Sequence, residues 1–175
     1  CSIKDSDGHS LGNNIIGTLW IKGGNIMMGY YNAPEATAQV LVDGWLNTGD
    51  LAQQDDTGQL TISGRIKDII IHKGFNIYPA EVENILLLHP AVFKAAVVGI
   101  ADPMAGQTPI ALVATKDLDA NLASSLRILC AQHLASYKVP RKFICLEDLP
   151  MNQTGKVDKK KISGDFLSHH LGNMS

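Results

Sequence analysis

Three short segments of the chain combine glycine with charged side chains, and their residue types suit the binding of a nucleotide. Residues 44–50 read Gly-Trp-Leu-Asn-Thr-Gly-Asp and end in a carboxylate. Residues 63–83 begin Ser-Gly-Arg-Ile-Lys-Asp and place charges, glycines and a proline where a nucleotide-handling hinge needs them. Residues 149–157 contain Gly155 followed by Lys156. Carboxylate, guanidinium and ammonium groups of this kind can bind ribose hydroxyls and phosphate oxygens.

The Gly155-Lys156 pair does not belong to a phosphate-cradling P-loop. That motif requires glycine where Pro150 stands and serine or threonine where Val157 stands. Gly155 instead predicts a flexible loop that delivers the Lys156 ammonium into a site formed elsewhere. The alternative is a solvated surface lysine, since three more lysines follow at positions 159–161.

Taken in order, the three segments resemble motifs of the acyl-adenylate-forming superfamily of AMP-binding enzymes. This superfamily comprises acyl-CoA synthetases, firefly luciferase and the adenylation domains of nonribosomal peptide synthetases. The resemblance runs from about Gly17 to Lys161, and three motifs in the right order argue against chance similarity. Residues 73–79, Lys-Gly-Phe-Asn-Ile-Tyr-Pro, look more like acyl-CoA synthetases acting on fatty or related acids than like peptide-synthetase domains. The chain is therefore expected to be the C-terminal part of a fatty-acid–CoA-ligase-like enzyme, an AMP-forming acid-thiol ligase.

The resemblance implies a reaction in two halves. A carboxylate attacks the α-phosphate of ATP to give an acyl-adenylate and pyrophosphate, and the thiol of CoA then attacks the adenylate. The first half brings an anion to a polyanion, which requires positive charge from Mg²⁺ and from a lysine or arginine without its own counter-ion. Lys156 matches the superfamily's C-terminal catalytic lysine and is expected to fill this role.

The resemblance also implies roles for four other residues. Asp50 matches a ribose-binding aspartate, and Arg65 matches an arginine that contacts ribose and phosphate. Lys67 occupies the hinge position, where rotation is thought to swing the small domain between adenylation and thioester-forming poses. Gly74 matches the glycine that lets the pantetheine arm of CoA pass close to the main chain. Ordinary alternatives stay open for each: a turn aspartate, a surface salt bridge, a linker lysine and a glycine needed only for positive φ.

Composition narrows the class of protein. The chain has 175 residues, of which 45% are hydrophobic, enough for one compact domain or two small ones. A net charge of −2 with the charges dispersed along the chain makes nucleic acid a poor candidate partner. No apolar run reaches the length of a membrane span and no signal peptide is evident, so we expect a cytoplasmic protein, with peripheral membrane contact left open. Cys1, Cys130 and Cys145 lack the spacing of a disulfide framework or zinc site, and we assign no protein-ligated metal.

The pattern of apolar residues predicts an α+β protein in two parts. Residues 1–66 read as antiparallel, β-barrel-like structure with a short helix begun by Asn32 and Pro34, and the resemblance implies that they form the end of a large adenylation domain. Residues 67–175 read as a small domain with a central sheet flanked by helices, and the resemblance implies that this is the mobile C-terminal domain. The expected elements of this second part are a hairpin at 69–77, a helix from Pro79, strands at 93–100, 108–115 and 142–146, and a helix at 120–135.

The superfamily's phosphate loop, adenine contacts, Mg²⁺-binding glutamate and acyl pocket find no match in this sequence. We therefore expect the chain to need the remainder of its own large N-terminal domain and not to catalyse adenylation alone. The expected ligands are a carboxylic acid, ATP with Mg²⁺, and CoA as co-substrate. Two alternatives remain: a ligase that passes the acyl group to a carrier protein, and a free-standing module that docks a partner. The oligomeric state stays open, a homo-oligomer included.

Overall fold

The structure is a computed structural model that describes residues 1–116 and 118–163. The chain divides into two compact units, Cys1–Lys67 and Asp68–Ser175. The assignment of these units to the end of a large domain and to a mobile small domain stays a prediction. In the described residues, no helix has both the length and the apolar character needed to cross a membrane.

The first unit is built on one antiparallel sheet. Its strands run in the order β1-β2-β4-β3, and β5 also pairs with β4. Its elements are β1 (Ser2–Lys4), β2 (Gly17–Ile21), α1 (Pro34–Val40), β3 (Leu41–Val42), β4 (Trp45–Gln54) and β5 (Leu60–Arg65).

The start of the first helix differs from the sequence-based expectation. The helix α1 begins at Pro34 with Ala33 as its N-cap, whereas Asn32 has a φ of 50° and makes no capping hydrogen bond in the described residues. Proline at the first helical position suffices to start this helix because its φ is already helical. Elsewhere in the unit, the strand β5 ends at Arg65, which places Arg65 opposite Asp50 of β4.

The second unit contains a mixed sheet with helices. The strands follow the order β10-β9-β6-β7 with β8 also on β9, and only the β9–β10 pair of the described strands is parallel. The elements are β6 (Ile70–His72), β7 (Phe75–Ile77), α2 (Pro79–Leu86), β8 (Val92–Asp102), β9 (Gly106–Thr115), α3 (Leu122–His133), β10 (Lys142–Leu146) and α4 (Lys159–Lys161). Short 3₁₀ segments occupy Ile66–Asp68 and Ser136–Lys138. The predicted α+β class is confirmed.

The long strands β8 and β9 bury both of their faces, because side chains alternate between the two sides of a sheet. On one side Val97 and Val113 pack against helix residues such as Leu86, Leu126 and Cys130. Burial raises the pKa of the Cys130 thiol to about 11, in keeping with its place in this core. The opposite side contains Ala96, Val98, Ile110 and Leu112, and it is covered by Leu149 and Ile162. Leu149 and Ile162 therefore fix both ends of the segment that carries Lys156.

Candidate nucleotide-binding and catalytic site

The structure brings Asp50 and Arg65 together. The two residues are direct partners in the β4–β5 register, and Arg65 Nε lies 2.8 Å from Asp50 Oδ1. The Arg65 side chain is 52% exposed and that of Asp50 is 27% exposed, so both remain accessible to a ligand. The ion pair leaves the second carboxylate oxygen and the terminal guanidinium nitrogens available, which is the donor and acceptor set that a ribose phosphate needs.

The turn before Asp50 is held by its own polar side chains. Asn47 Oδ1 accepts a hydrogen bond from the Gly49 amide at 2.9 Å, and Thr48 Oγ1 accepts one from the Asp50 amide at 3.1 Å. The Thr48 hydroxyl donates in turn to the Leu19 carbonyl on β2 at 2.9 Å. Gly49 has a φ of 71°, a conformation that favours glycine. These contacts fix the direction in which the Asp50 carboxylate leaves the strand.

A cavity of about 340 Å³ lies beside this turn. Arg65 and Lys67, which the sequence analysis singled out for other reasons, lie in its wall, whereas that analysis did not indicate the other lining side chains. The cavity is lined by Tyr30, Val40, Asn47, Thr48, Gly49, Arg65, Ile66 and Lys67. Asn47, Thr48 and Gly49 precede Asp50 in its motif, so the motif itself could have indicated that they line the site. Tyr30 and Val40 are distant in sequence and are brought to the cavity by the tertiary fold.

Lys156 sits on a tight turn organised by Asn152. The side-chain oxygen of Asn152 accepts hydrogen bonds from the Thr154 amide at 2.9 Å, the Thr154 hydroxyl at 2.7 Å and the Lys156 amide at 3.0 Å. The Asn152 amide donates to the Lys156 carbonyl at 2.8 Å, and Gly155 has a φ of 76°. These hydrogen bonds define a turn at Lys156, and the flexibility expected from Gly155 stays a prediction.

The Lys156 side chain is exposed. Its ammonium has no hydrogen-bond or ion-pair partner within residues 1–116 and 118–163. By contrast, four other basic side chains of the second unit form ion pairs with carboxylates: Lys94, Lys138, Arg141 and Lys159. A fixed backbone with an unpaired ammonium meets the requirement for a cation that stabilises a polyanion.

Lys67 is the last residue of the first unit, and it is exposed within the 3₁₀ segment Ile66–Asp68. Its role as a hinge stays a prediction. An exposed backbone between two compact units is the setting in which a hinge residue can change its φ and ψ angles.

Gly74 occupies the turn of the β6–β7 hairpin. Lys73 and Gly74 have φ angles of 50° and 81°, the two positive values of a type I′ turn. Among the described residues, no heavy atom outside its chain neighbours lies within 4 Å of the position that a Cβ on Gly74 would take. The positive φ accounts for the glycine by itself, and the open space beside it leaves room for a ligand to approach the main chain.

A cavity of about 770 Å³ in the second unit lies beside this turn. Lys73 and Arg141 contribute positive charge, because the Arg141 side chain is 78% exposed and Lys73 is also exposed. Arg127 is committed to packing, since it donates to the Arg141 carbonyl at 2.8 Å and lies over the Phe143 ring. The cavity is suited to an anionic ligand with apolar parts.

Asp102 is the acidic residue of this cavity wall. Its carboxylate accepts hydrogen bonds from the Thr108 hydroxyl at 2.8 Å and from the Met104 and Ala105 amides at 2.9 and 3.1 Å. The pKa of Asp102 is lowered, first by the Thr108 hydroxyl, then by the two amides, with Arg141 adding a smaller charge effect. Asp102 thus closes the β8–β9 turn as a carboxylate.

This lowered pKa predicts a pH-dependent stability. The stabilisation is present above the ordinary aspartate pKa of 3.8 and is lost as the pH falls through the lower pKa of the folded protein. We expect Asp102→Asn to weaken the fall in the free energy of unfolding between about pH 6 and pH 3, measured by urea titration. The exposed carboxylate of Asp43 makes no hydrogen bond within the described residues, so Asp43→Asn is the control. Identical pH profiles for the wild type and Asp102→Asn would contradict this prediction.

The described residues do not form a Mg²⁺ site at the candidate nucleotide-binding residues. Asp50 already pairs with Arg65. Within the described part of the chain one group of three possible metal ligands occurs, Asp5, Asp7 and His9, and Asp5 Oδ1 there accepts the amides of the other two. These hydrogen bonds form a turn, and the turn accounts for the proximity of the three side chains.

Comparison with known proteins identifies the family. The family model of the AMP-binding enzyme C-terminal domain matches residues 81–156. A long-chain-fatty-acid–CoA ligase from Haemophilus influenzae is 41% identical over 166 residues, which cover 95% of this chain and 29% of that protein. A 2-succinylbenzoate–CoA ligase from Bacillus mycoides is 41% identical over 163 residues, which cover 93% of this chain and 34% of that protein.

A solved structure extends the likeness to the fold. The amide bond synthetase McbA from Marinactinospora thermotolerans superposes with a TM-score of 0.87 at 39% identity, covering 93% of this chain and 33% of that one. The chain spans about a third of the length of the relatives it matches. It matches the C-terminal part of acyl-CoA ligases, and its residues 81–156 carry the AMP-binding enzyme C-terminal domain of the acyl-adenylate-forming superfamily.

Proposed function

We propose that this chain is the C-terminal part of an ATP-dependent acyl-CoA synthetase. The complete enzyme joins a carboxylic acid to CoA through an acyl-adenylate, with release of pyrophosphate and then AMP. The observation that carries the proposal is the Lys156 turn, in which Asn152 fixes the main chain and the ammonium stays without a counter-ion in the described residues. The similarity to CoA ligases supports the reaction class.

In the first half-reaction, a carboxylate oxygen of the acid bonds to the α-phosphorus of ATP while the bond to pyrophosphate breaks. Lys156 is proposed to stabilise the negative charge that grows on the phosphate oxygens. A preorganised cation lowers the barrier because it needs no reorganisation when the charge develops. Mg²⁺, which supplies further positive charge, is proposed to take its ligands from parts of the protein outside this chain.

Asp50 and Arg65 are proposed to hold the nucleotide. The Asp50 carboxylate can accept hydrogen bonds from the ribose hydroxyls, and Arg65 can donate to ribose and phosphate oxygens. Their ion pair at 2.8 Å orients both groups before the nucleotide arrives. The cavity of about 340 Å³ that includes Arg65 provides space for part of the ligand.

In the second half-reaction, the thiolate sulfur attacks the acyl carbonyl carbon and AMP leaves. We propose that rotation about Lys67 changes the pose of the small domain and that the pantetheine arm then passes along Gly74. The open space at Gly74 and the positive charge of Lys73 and Arg141 in the adjacent cavity favour a thiol that carries phosphates, as CoA does.

A fatty acid is the acid we propose. The segment 73–79 resembles fatty-acid–CoA ligases, and a long-chain-fatty-acid–CoA ligase is 41% identical to the chain. The 2-succinylbenzoate–CoA ligase has the same identity, so the acid must be determined by experiment. A second candidate acceptor is an amine, because the chain is 39% identical to an amide bond synthetase.

The test is product formation by the complete protein with ATP, Mg²⁺, CoA and a panel of fatty, aryl and short-chain acids. We expect a CoA thioester with a preferred fatty acid. Formation of acyl-adenylate without thioester would show that CoA is not the acyl acceptor. Amines and a phosphopantetheinyl carrier protein would then be tested as acceptors. The absence of acid-dependent pyrophosphate release across the panel would refute the proposed reaction.

A further inference from the structure

A salt bridge behind the Lys156 turn connects the segment that carries this lysine to the core of the second unit. Lys159 Nζ lies 2.6 Å from Glu83 Oε1, and the two side chains are only 28% and 16% exposed. The same Glu83 oxygen accepts a hydrogen bond from the Val97 amide at 2.7 Å. Glu83 belongs to α2, Val97 to β8 and Lys159 to α4, so one carboxylate joins three elements.

The position of this contact follows from the sheet. Among the described strands β8 pairs only with β9, so alternate amides of β8 point outward from the sheet edge. The Val97 amide is one of these, and Glu83 satisfies it. The Glu83 carboxylate is only 16% exposed, and a largely desolvated charge is costly unless a cation pairs with it. Lys159 provides that cation from the segment that follows Lys156.

The same segment is held at further points on either side of Lys156. Before the turn, Asp148 pairs with Lys94 of β8 at 2.8 Å, and Leu149 is buried. After the turn, the Asp158 amide donates to the Pro150 carbonyl at 2.8 Å, and Ile162 is completely buried. Lys159 follows Lys156 by three residues. Of the polar contacts named here, its salt bridge is the one that connects this segment to α2.

We infer that the Glu83–Lys159 salt bridge positions Lys156 for acyl-adenylate formation. This inference rests on the proposed function of Lys156. Lys159 acts through the main chain. When its ammonium binds Glu83, the segment that contains the Asn152 turn and Lys156 is anchored to the second unit. Because Lys159 occupies Glu83, that carboxylate is also unavailable as a counter-ion for Lys156.

The test separates the two half-reactions in the complete protein. Adenylation is measured as acid-dependent pyrophosphate release, and thioester formation is measured from supplied acyl-adenylate and CoA. We expect Lys159→Met to slow adenylation by about 10- to 100-fold, because small displacements of a positioned group cost this much, and to leave the thioester step unchanged. Lys159→Arg should restore most of the adenylation rate. Glu83→Gln should resemble Lys159→Met, and the double variant should be no slower than either single variant.

Lys138→Met is the matched control. It removes a lysine that pairs with Glu81 of the same helix α2 at 2.7 Å, and the hydrogen bonds of Lys138 do not involve the Lys156 turn. Equal adenylation rates for Lys159→Met and Lys138→Met would overturn the inference. An equal loss of both half-reactions in Lys159→Met would also overturn it, since the pair would then support the fold as a whole. Lys156→Ala in the same assay is the independent check: a normal adenylation rate in that variant would refute the proposed role of Lys156 itself.

Discussion

Replacing Lys156 by alanine in the complete protein is expected to slow acyl-adenylate formation by about 10²–10³-fold, the effect of removing one preorganised group that stabilises transition-state charge. The structural reason is local. The ammonium is exposed and unpaired in the described residues, and its removal leaves the Asn152 hydrogen bonds intact because they use the main chain of residue 156. The fold should therefore be unchanged while the charge is lost.

The measurement is the rate of acid-dependent pyrophosphate release, accompanied by thioester formation from a supplied acyl-adenylate. Thioester formation should persist in Lys156→Ala, since that half-reaction does not form a bond to the α-phosphate. Lys160→Ala is the control, because Lys160 is also exposed and has no ion-pair partner in the described residues. If the Lys160 and Lys156 variants lose adenylation equally, diffuse positive charge would explain the effect and the specific role of Lys156 would be wrong.

Much of the second unit could be predicted from the sequence because its local signals agree with its packing. The strand predicted at 142–146 is observed as Lys142–Leu146, and the helix expected from Pro79 begins there. The predicted strands 93–100 and 108–115 extend further, to Val92–Asp102 and Gly106–Thr115. The strands extend to both sides of the tight turn at residues 103–105, which Asp102 closes through hydrogen bonds to the Met104 and Ala105 amides. The spacing of apolar residues does not reveal side-chain hydrogen bonds of this kind.

Local sequence motifs predicted individual residues of the candidate site but not the contacts between them. Asp50 and Arg65 were singled out as separate residues of two motifs, and the β4–β5 register makes them a pair. The Glu83–Lys159 contact spans 76 positions of sequence and was not predicted, since each residue alone looks like a surface charge on a short helix. Only the folded sheet edge at Val97 explains why that carboxylate is largely shielded from solvent and why it binds a lysine beside the Lys156 turn.

Gly74→Leu is expected to slow the thioester half-reaction by about 100-fold while adenylation remains near the wild-type rate, because a side chain in the path of the thiol displaces it from attack geometry. The change introduces a side chain where no heavy atom of the described residues outside the chain neighbours lies within 4 Å of the new Cβ, so this part of the fold can accommodate it. It also places leucine at a φ of 81°, which costs about 1–2 kcal/mol. The two effects must be separated.

Gly58→Leu separates them, because Gly58 also lies in a turn, has a φ of 88° and has only one ordinary contact, to Gln54 at 3.5 Å. Both variants carry the same kind of backbone strain, so their thermal unfolding should shift similarly. If the thioester step falls in Gly74→Leu alone, the loss comes from the space beside Gly74. Equal loss in both variants would mean that strain is responsible, and Gly74 would then be a turn residue and nothing more. Gly74 and Gly58 both have a positive φ, so backbone strain affects the two variants alike. A larger loss of thioester formation in Gly74→Leu than in Gly58→Leu would therefore support the passage of the pantetheine arm along Gly74.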